Sequence, residues 1–367
     1  MKKTLIVLIF ILFITTTVLM TINNLLELKL NDRITLESYN TLRTERFILN
    51  HLQHEDGTIR TNFSGQEEGS LALSESLGLW MEYLTLKNDQ EQFAQVVDVL
   101  TRHYLLKNHL IAWEIKENER SETNALIDDL RIINALFLMG KKTQNTSYTE
   151  LATEISRAIV TYHEKEDILV DFYDTQFAEA NDSLTLSYII PEAIDQMSEH
   201  HLLTNEVMGN MQSILREMPM NNGFYPQSYE VHTREYTFTD EINLIDQLYI
   251  ARHFEQMMNN SDDAFNKWLK EEFNKERKLF GRYDLSSKEP TVTYESVAVY
   301  ALAILYSVER GDETFARDVY NQMQTLQIND EKSLYDGGYM DEQTTHSFDN
   351  LLALIAERTL KNEQIIQ

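Results

Sequence analysis

The stretch LALSESLGLWMEYLTLKND, residues 71–89, is apolar almost all the way round at helical spacing, yet carries a carboxylate, Glu75, behind Ser74. A surface helix keeps one polar face and one apolar face. A helix that is apolar on every side must be enclosed by other helices and wetted only at its ends. Glu75 is then an acid at the exposed mouth of an enclosed helix.

The same event recurs along the chain. A small polar or acidic residue precedes a strongly apolar run at Ser74, Asp129, Ser187, Asp240, Thr293 and Ser347, at intervals of 53 to 58 residues. Such residues satisfy the open N–H groups of a helix start. Six further helical stretches alternate with these, at about 37–51, 90–106, 148–163, 205–217, 262–280 and 312–326. Each has one apolar stripe and a charged face. Six enclosed helices alternating with six amphipathic ones predict two concentric rings, an all-α (α/α)6 barrel with six inner and six outer helices. Connections from inner to outer helices are short, as in KND and ERGD, whereas most of those from outer to inner run to about twenty residues. In this topology the long loops open onto one rim, at the N-terminal ends of the inner helices, and long loops on a rigid scaffold tend to carry function. Glu75, Asp129 and Asp240, remote in sequence, are expected to converge there. Aromatic residues crowd the same loops, among them Trp113, Phe172, Tyr225 and Tyr339, and suit the apolar faces of sugar rings.

Bulk composition narrows the ligand. The 367 residues carry a formal charge of −27, which excludes nucleic acid and disfavours anionic polymers. A neutral or cationic substrate fits better. The chain has no cysteine, so it has no thiol chemistry, no disulfide and no lipid-bearing cysteine. His51 with His54 and His200 with His201 match no metal-binding pattern, and no nucleotide-binding or serine-nucleophile motif occurs. Neither a metal nor a cofactor is expected. Lys2 and Lys3 precede an uncharged run from Thr4 to Ile22, long enough to span a bilayer. Residues 1–23 are read as a signal anchor or transmembrane segment, 24–33 as a linker and 34–367 as one barrel domain outside the cytoplasmic membrane. Cleavage would leave the domain secreted.

Several segments then resemble one known family. SESLGLWMEYL around Glu75, HLIAW around Trp113, IDDLRIINAL around Asp129, LSYIIP around Ser187 and Tyr188, and FTDEINLIDQL around Asp240 are similar, in order, to motifs of glycoside hydrolase family 8. That family comprises inverting (α/α)6-barrel enzymes that include endoglucanases, chitosanases and xylanases, and it has membrane-tethered members from exopolysaccharide operons. The resemblance covers most of the chain after about Ile34. It implies Glu75 as general acid, Asp240 as general base, and Asp129 as the residue holding the sugar at the cleavage point. It implies Tyr188, with Ser187, as positioning groups and Trp113 as a stacking platform. Tyr225 is a further expected sugar contact, and Asp128 a spare acid. Ser76, Thr239 and Asn243 depart from the family's glycine, tyrosine and arginine. The expected activity is hydrolysis of a β-linked exopolysaccharide, biofilm polymer or β-1,4-glucan, neutral or containing amino sugars, near an exopolysaccharide synthesis machinery. A tethered, catalytically inactive polysaccharide-binding protein is the alternative.

Overall fold

The computed structural model describes residues 40–64, 71–117, 119–258, 263–340 and 345–366. The segments read as anchor and linker lie outside the described residues. Among the described residues no helix is long and apolar enough to cross a membrane.

Twelve α-helices follow one another among the described residues. The odd-numbered ones are α1 (Arg43–Phe47), α3 (Gln90–Val99), α5 (Thr146–His163), α7 (Asn205–Arg216), α9 (Asp263–Glu276) and α11 (Glu313–Gln324). The even-numbered ones are α2 (Ser74–Lys87), α4 (Leu126–Thr143), α6 (Pro191–Glu199), α8 (Leu244–Met258), α10 (Val297–Glu309) and α12 (Ser347–Asn362). The even helices pack in a closed circle, α2 on α4, α4 on α6, and so on until α12 returns to α2. Burial explains the sorting. From Val297 to Ser307 every residue of α10 is buried, as are Leu77, Leu79, Trp80, Met81, Tyr83 and Leu84 of α2. Removing such side chains from water contributes about 1.5–3 kcal/mol each. The odd helices bury one stripe apiece, as Phe93, Val96 and Val99 do on α3.

Helix starts separate the two rings further. Outer helices carry side-chain caps: Gln92 N–H donates to Asp89 (3.1 Å), Val207 N–H to Thr204 (3.1 Å) and Phe315 N–H to Asp312 (3.1 Å). The polar residues that open α2, α4, α6, α10 and α12 form no such cap. Ser74, expected to cap α2, is instead its first residue and turns its hydroxyl towards α4. Three inner helices begin later than expected, at Pro191, Leu244 and Val297, and α4 begins earlier, at Leu126.

The long loops are not irregular throughout. Short antiparallel strands stitch one loop to the next. Ala72–Leu73 pairs with Glu114–Lys116, Ser183–Thr185 with Ser228–Glu230, Glu241–Asn243 with Arg282–Asp284, and Asn62–Phe63 with Thr345–His346. This collar holds the rim of the all-helical barrel and supplies partners for loop backbone that would otherwise go unpaired.

Inner helices approach closely where small residues permit. A Cβ on Gly78 of α2 would lie 3.3 Å from Cδ of Arg131 on α4. Gly78→Leu should therefore destabilise the protein by about 1–3 kcal/mol through overpacking. Urea unfolding of the variant measures this, and an unchanged midpoint would contradict the tight α2–α4 seam.

Candidate active site

Four hydrogen bonds organise the rim, and each crosses between inner elements. Ser74 Oγ donates to Asp128 Oδ2 (2.8 Å), Ser187 Oγ to Asp246 Oδ1 (3.0 Å), and Ser296 Oγ to Asp349 Oδ1 (3.3 Å), while the hydroxyls of Ser347 and Ser76 pair at 2.8 Å. In each case the serine stands at or just before the start of one inner helix. Its partner is the third residue of the next: Asp128 of α4, Asp246 of α8 (reached from the 3-10 turn Leu186–Tyr188), Asp349 of α12 and Ser76 of α2.

Glu75, second residue of α2, lies among these groups. Burial, followed by the charge of Asp128, raises its carboxyl to about 8, with Arg131 opposing and Asp349 adding to the rise. No hydrogen bond holds the Glu75 carboxyl among the described residues. Asp128 is raised by burial too, but Ser74 and Arg131 Nη1 (3.1 Å) both donate to it. The proton of this pair therefore belongs on Glu75 and the charge on Asp128. Arg131 also donates to Tyr249 Oη (3.3 Å) and lies 3.7 Å from Glu82, so one buried guanidinium serves three partners.

Tyr188 marks where the carboxyls meet. Its phenol is pushed up to about 12, first by burial and then by Asp171, Asp128, Asp246 and Glu75 together. The half-buried Tyr188 phenol thus feels the charge of four acids from separate segments. Asp171 receives Thr185 N–H (2.6 Å) and Thr185 Oγ1 (2.7 Å) and is raised by burial to about 6. Asp246 is raised by burial against the donors Ser187 and Asn243. Beside the acids, Trp113 is 39% exposed, and its carbonyl accepts Ser74 N–H (2.9 Å), which fixes the indole next to the start of α2. A protonated and an ionised carboxyl among hydroxyls and aromatic faces can perform acid–base chemistry on a sugar linkage.

The chain is 42% identical over 324 residues, 88% of its length and 88% of the relative's, to "Putative lipoprotein YdaJ" of Bacillus subtilis. The chain belongs to the YdaJ family. No family model matches this YdaJ-family chain. Its backbone is similar to a structure described as a novel alpha-amylase from Clostridium perfringens, with TM-score 0.79 and 26% identity over 86% of this chain and 96% of that one. It is also similar to PssZ from Listeria monocytogenes, with TM-score 0.71 and 25% identity over 86% and 94%. Endoglucanase Cel10 from Klebsiella pneumoniae, a family 8 glycosyl hydrolase, superposes with TM-score 0.62 at 15% identity over 87% and 99%. The fold of this YdaJ-family member is that of family 8 glycoside hydrolases.

Three expected residues stand elsewhere. Asp240 is exposed and precedes the strand Glu241–Asn243, four residues ahead of the start of α8, and its carbonyl accepts Leu285 N–H (2.8 Å). A helix that starts at Leu244 carries Asp246, not Asp240, into the cluster. Asp129 is fully buried on the far side of α4. One residue turns a helix by about 100°, so Asp128 faces the acids while Asp129 meets Asn124, whose amide also contacts His163 Nε2 (2.6 Å). This internal network holds the loop at Tyr173, whose N–H donates to Asn124 Oδ1 (2.9 Å). Tyr225 is 2% exposed and packs on Phe265 (5.4 Å), so it offers no surface to a substrate. Asp171, Arg131, Asp246 and Tyr249 were not anticipated. Asn243 three residues before Asp246 was an available signal, since Asn-x-x-Asp opens helices, and Ile245 N–H does donate to Asn243 Oδ1 (3.1 Å).

The raised Glu75 carboxyl has a consequence for stability. The folded state keeps this proton up to about pH 8, whereas the unfolded chain releases it near the ordinary 4.5. Its contribution is therefore fully present below about 4.5 and is lost as pH rises towards 8. Glu75→Gln, which cannot ionise, should gain stability relative to the parent between pH 5 and 9. Urea midpoints that differ by a constant amount across that range would contradict a protonated Glu75.

Proposed function

We propose that the protein is an extracytoplasmic glycoside hydrolase acting on a β-linked polysaccharide, neutral or bearing amino sugars, by inversion. The observation that carries this reading is the pair of serine hydrogen bonds that fixes Asp128 and Asp246 at the starts of their inner helices, with Glu75 at the start of α2. Glu75, protonated near neutrality, donates to the glycosidic oxygen. Asp246, held by Ser187 (3.0 Å), is the base that takes a proton from water, in the role that the sequence suggested for Asp240. Asp128, fixed by Ser74 and Arg131, accepts hydroxyls of the sugar at the cleavage point. Tyr188 and Ser187 position that sugar and the water, and Trp113 stacks on a neighbouring ring. A hollow of about 130 Å³ between the starts of α10 and α12, lined by Tyr294, Ser296, His346 and Asp349, continues the groove on the other side of the acid.

The similarity to a described alpha-amylase favours a second reading, an α-linked glucan as substrate. Reducing-end release from β-1,4-glucan, chitosan, xylan, the host's exopolysaccharide and starch separates the two. Release from starch alone would overturn the β-linkage, and release from none by the folded protein would overturn hydrolysis. Glu75→Gln should lower kcat by about 10²–10⁴-fold.

Rate requires Asp246 ionised and Glu75 protonated. The pH profile should rise through a carboxyl raised above its ordinary range and fall near 8. Ser187→Ala removes a donor to the Asp246 carboxylate, which raises its proton affinity. The acidic limb should move to higher pH while the basic limb stays. An unmoved acidic limb would exclude Asp246 as the base.

The location rests on residues 1–23 as a membrane anchor, with residues 34–367 outside. Lys2 and Lys3 favour that orientation, and the YdaJ relative carries the description of a lipoprotein. This chain has no cysteine to hold a lipid, and the apolar run Thr4–Ile22 would serve as its tether. Protease applied to intact cells should digest the barrel, and full protection would place it inside.

A further inference from the structure

The barrel has a second opening. At the C-terminal ends of the inner helices, opposite the rim acids, a cavity of about 480 Å³ lies between α2, α4, α6, α8, α10 and α12. Its volume falls within the range of about 300–1,000 Å³ usual for small-molecule sites. Nothing in the proposed reaction uses it.

Its walls alternate acid and hydrocarbon. Glu82, Glu192, Glu309 and Asp195 line it, with Ala135, Leu138 and Ile190 between them. Arg252 stands among the acids, 3.8 Å from Glu82 and 3.6 Å from Glu309, and Gln256 donates to Glu192 (3.0 Å) and Glu309 (2.8 Å). Arg131, the other cation of the lining, is already engaged by Asp128. Negative charge therefore exceeds positive within the cavity, and Glu192 feels Glu82, Glu309 and Asp195 as like charges.

His253 is a separate observation that points to a ligand. It lines the cavity and is 4% exposed, yet its buried Nδ1 makes no hydrogen bond among the described residues. Burial, then the charges of Arg252 and Arg131, hold it neutral, so one nitrogen is an acceptor. Asn134, also in the lining, has a buried carbonyl oxygen without a partner. Buried polar groups left unmatched are costly, and a donor-rich guest would satisfy them.

We propose that this rear cavity binds a linear organic polyamine, its ammonium groups on Glu82, Glu192 and Glu309 and its methylene chain along Leu138 and Ile190. Ammonium groups supply positive charge to a wall where carboxylates outnumber guanidinium groups. A chain matches carboxylates set apart by apolar surface. A metal ion would need three or more ligands converging on one point, and no such group of His, Cys, Asp or Glu exists among the described residues.

Calorimetric titration of the full-length protein with spermidine at physiological ionic strength tests this. One saturable site is expected. Its affinity should fall at least about tenfold in Glu192→Gln/Glu309→Gln. Leu138→Phe fills the cavity without changing charge and should also abolish binding, whether or not the charge variant folds. Magnesium at matched ionic strength should give no saturable heat. No single site in the parent protein, an equal response to magnesium, or unchanged affinity in either folded variant would overturn the proposal. The experiment reads no hydrolysis, so its outcome is independent of the reading of the rim acids.

Discussion

The structure turns on a repeated hydrogen bond, serine to the third residue of the next inner helix. Ser74 to Asp128, Ser187 to Asp246 and Ser296 to Asp349 each span one barrel repeat, and Ser347 to Ser76 closes the ring. A barrel of helices has no backbone hydrogen bonds between its staves, so register along the axis must come from packing and side chains. These bonds tie the helix starts together at one level. They also have a cost. A serine that reaches across to its neighbour is not free to cap its own helix, and α2, α10 and α12 lack the side-chain caps that α3, α7 and α11 have. Caps contribute about 1 kcal/mol, which the enclosed apolar surface of the inner ring readily offsets.

The same constraint decides which acids can do chemistry. A third-residue carboxyl on an inner helix faces the axis and meets its neighbours there. A carboxyl one residue later, such as Asp129, points into the packing between rings and is spent on Asn124. Arg131 is the single guanidinium that Asp128, Tyr249 and Glu82 share. Because it favours Asp128 geometrically, it opposes the rise of Glu75 without cancelling it. The residues that depart from the family pattern are absorbed locally: Ser76 pairs with Ser347, Thr239 Oγ1 donates to the Glu241 carbonyl (2.8 Å), and Asn243 accepts from the start of α8.

The fold was legible because it is written as a contrast between uniformly apolar and one-sided helices, and burial depends on that contrast alone. Glu75 stood out as an acid at the head of so apolar a helix, although an acid after a serine is also ordinary in the first turn of a helix. The remaining site residues were harder for reasons of phase. Asp129 and Asp240 were read as helix starts, whereas α4 begins at Leu126 and α8 at Leu244, which makes Asp128 and Asp246 the third residues of their helices. Tyr225 illustrates a different limit. Aromatic residues in loops serve either as platforms or as plugs, and only the collar of paired strands and the outer helices beneath determines which. The strand collar itself leaves little trace in sequence, because segments of two or three residues carry no measurable alternation.

It remains to ask why an acid near a helix start, where ionisation is favoured, should keep its proton. The N-terminal dipole stabilises a nearby carboxylate by about 0.3–1 kcal/mol. A rise of Glu75 from 4.5 to about 8 corresponds to about 5 kcal/mol in the other direction. Desolvation by Trp113, Tyr188 and the apolar body of α2 supplies part of that, and the charge on Asp128 the next part. The order of assembly follows from these magnitudes. Ser74 and Arg131 fix the charge on Asp128, that charge with burial holds the proton on Glu75, and the helix dipole is too weak to remove it. An acid kept neutral first by burial and then by an ionised neighbour becomes more acidic when either influence is relieved. The Ser74–Asp128 hydrogen bond that aligns two staves of the barrel thereby also sets the proton affinity of the acid between them.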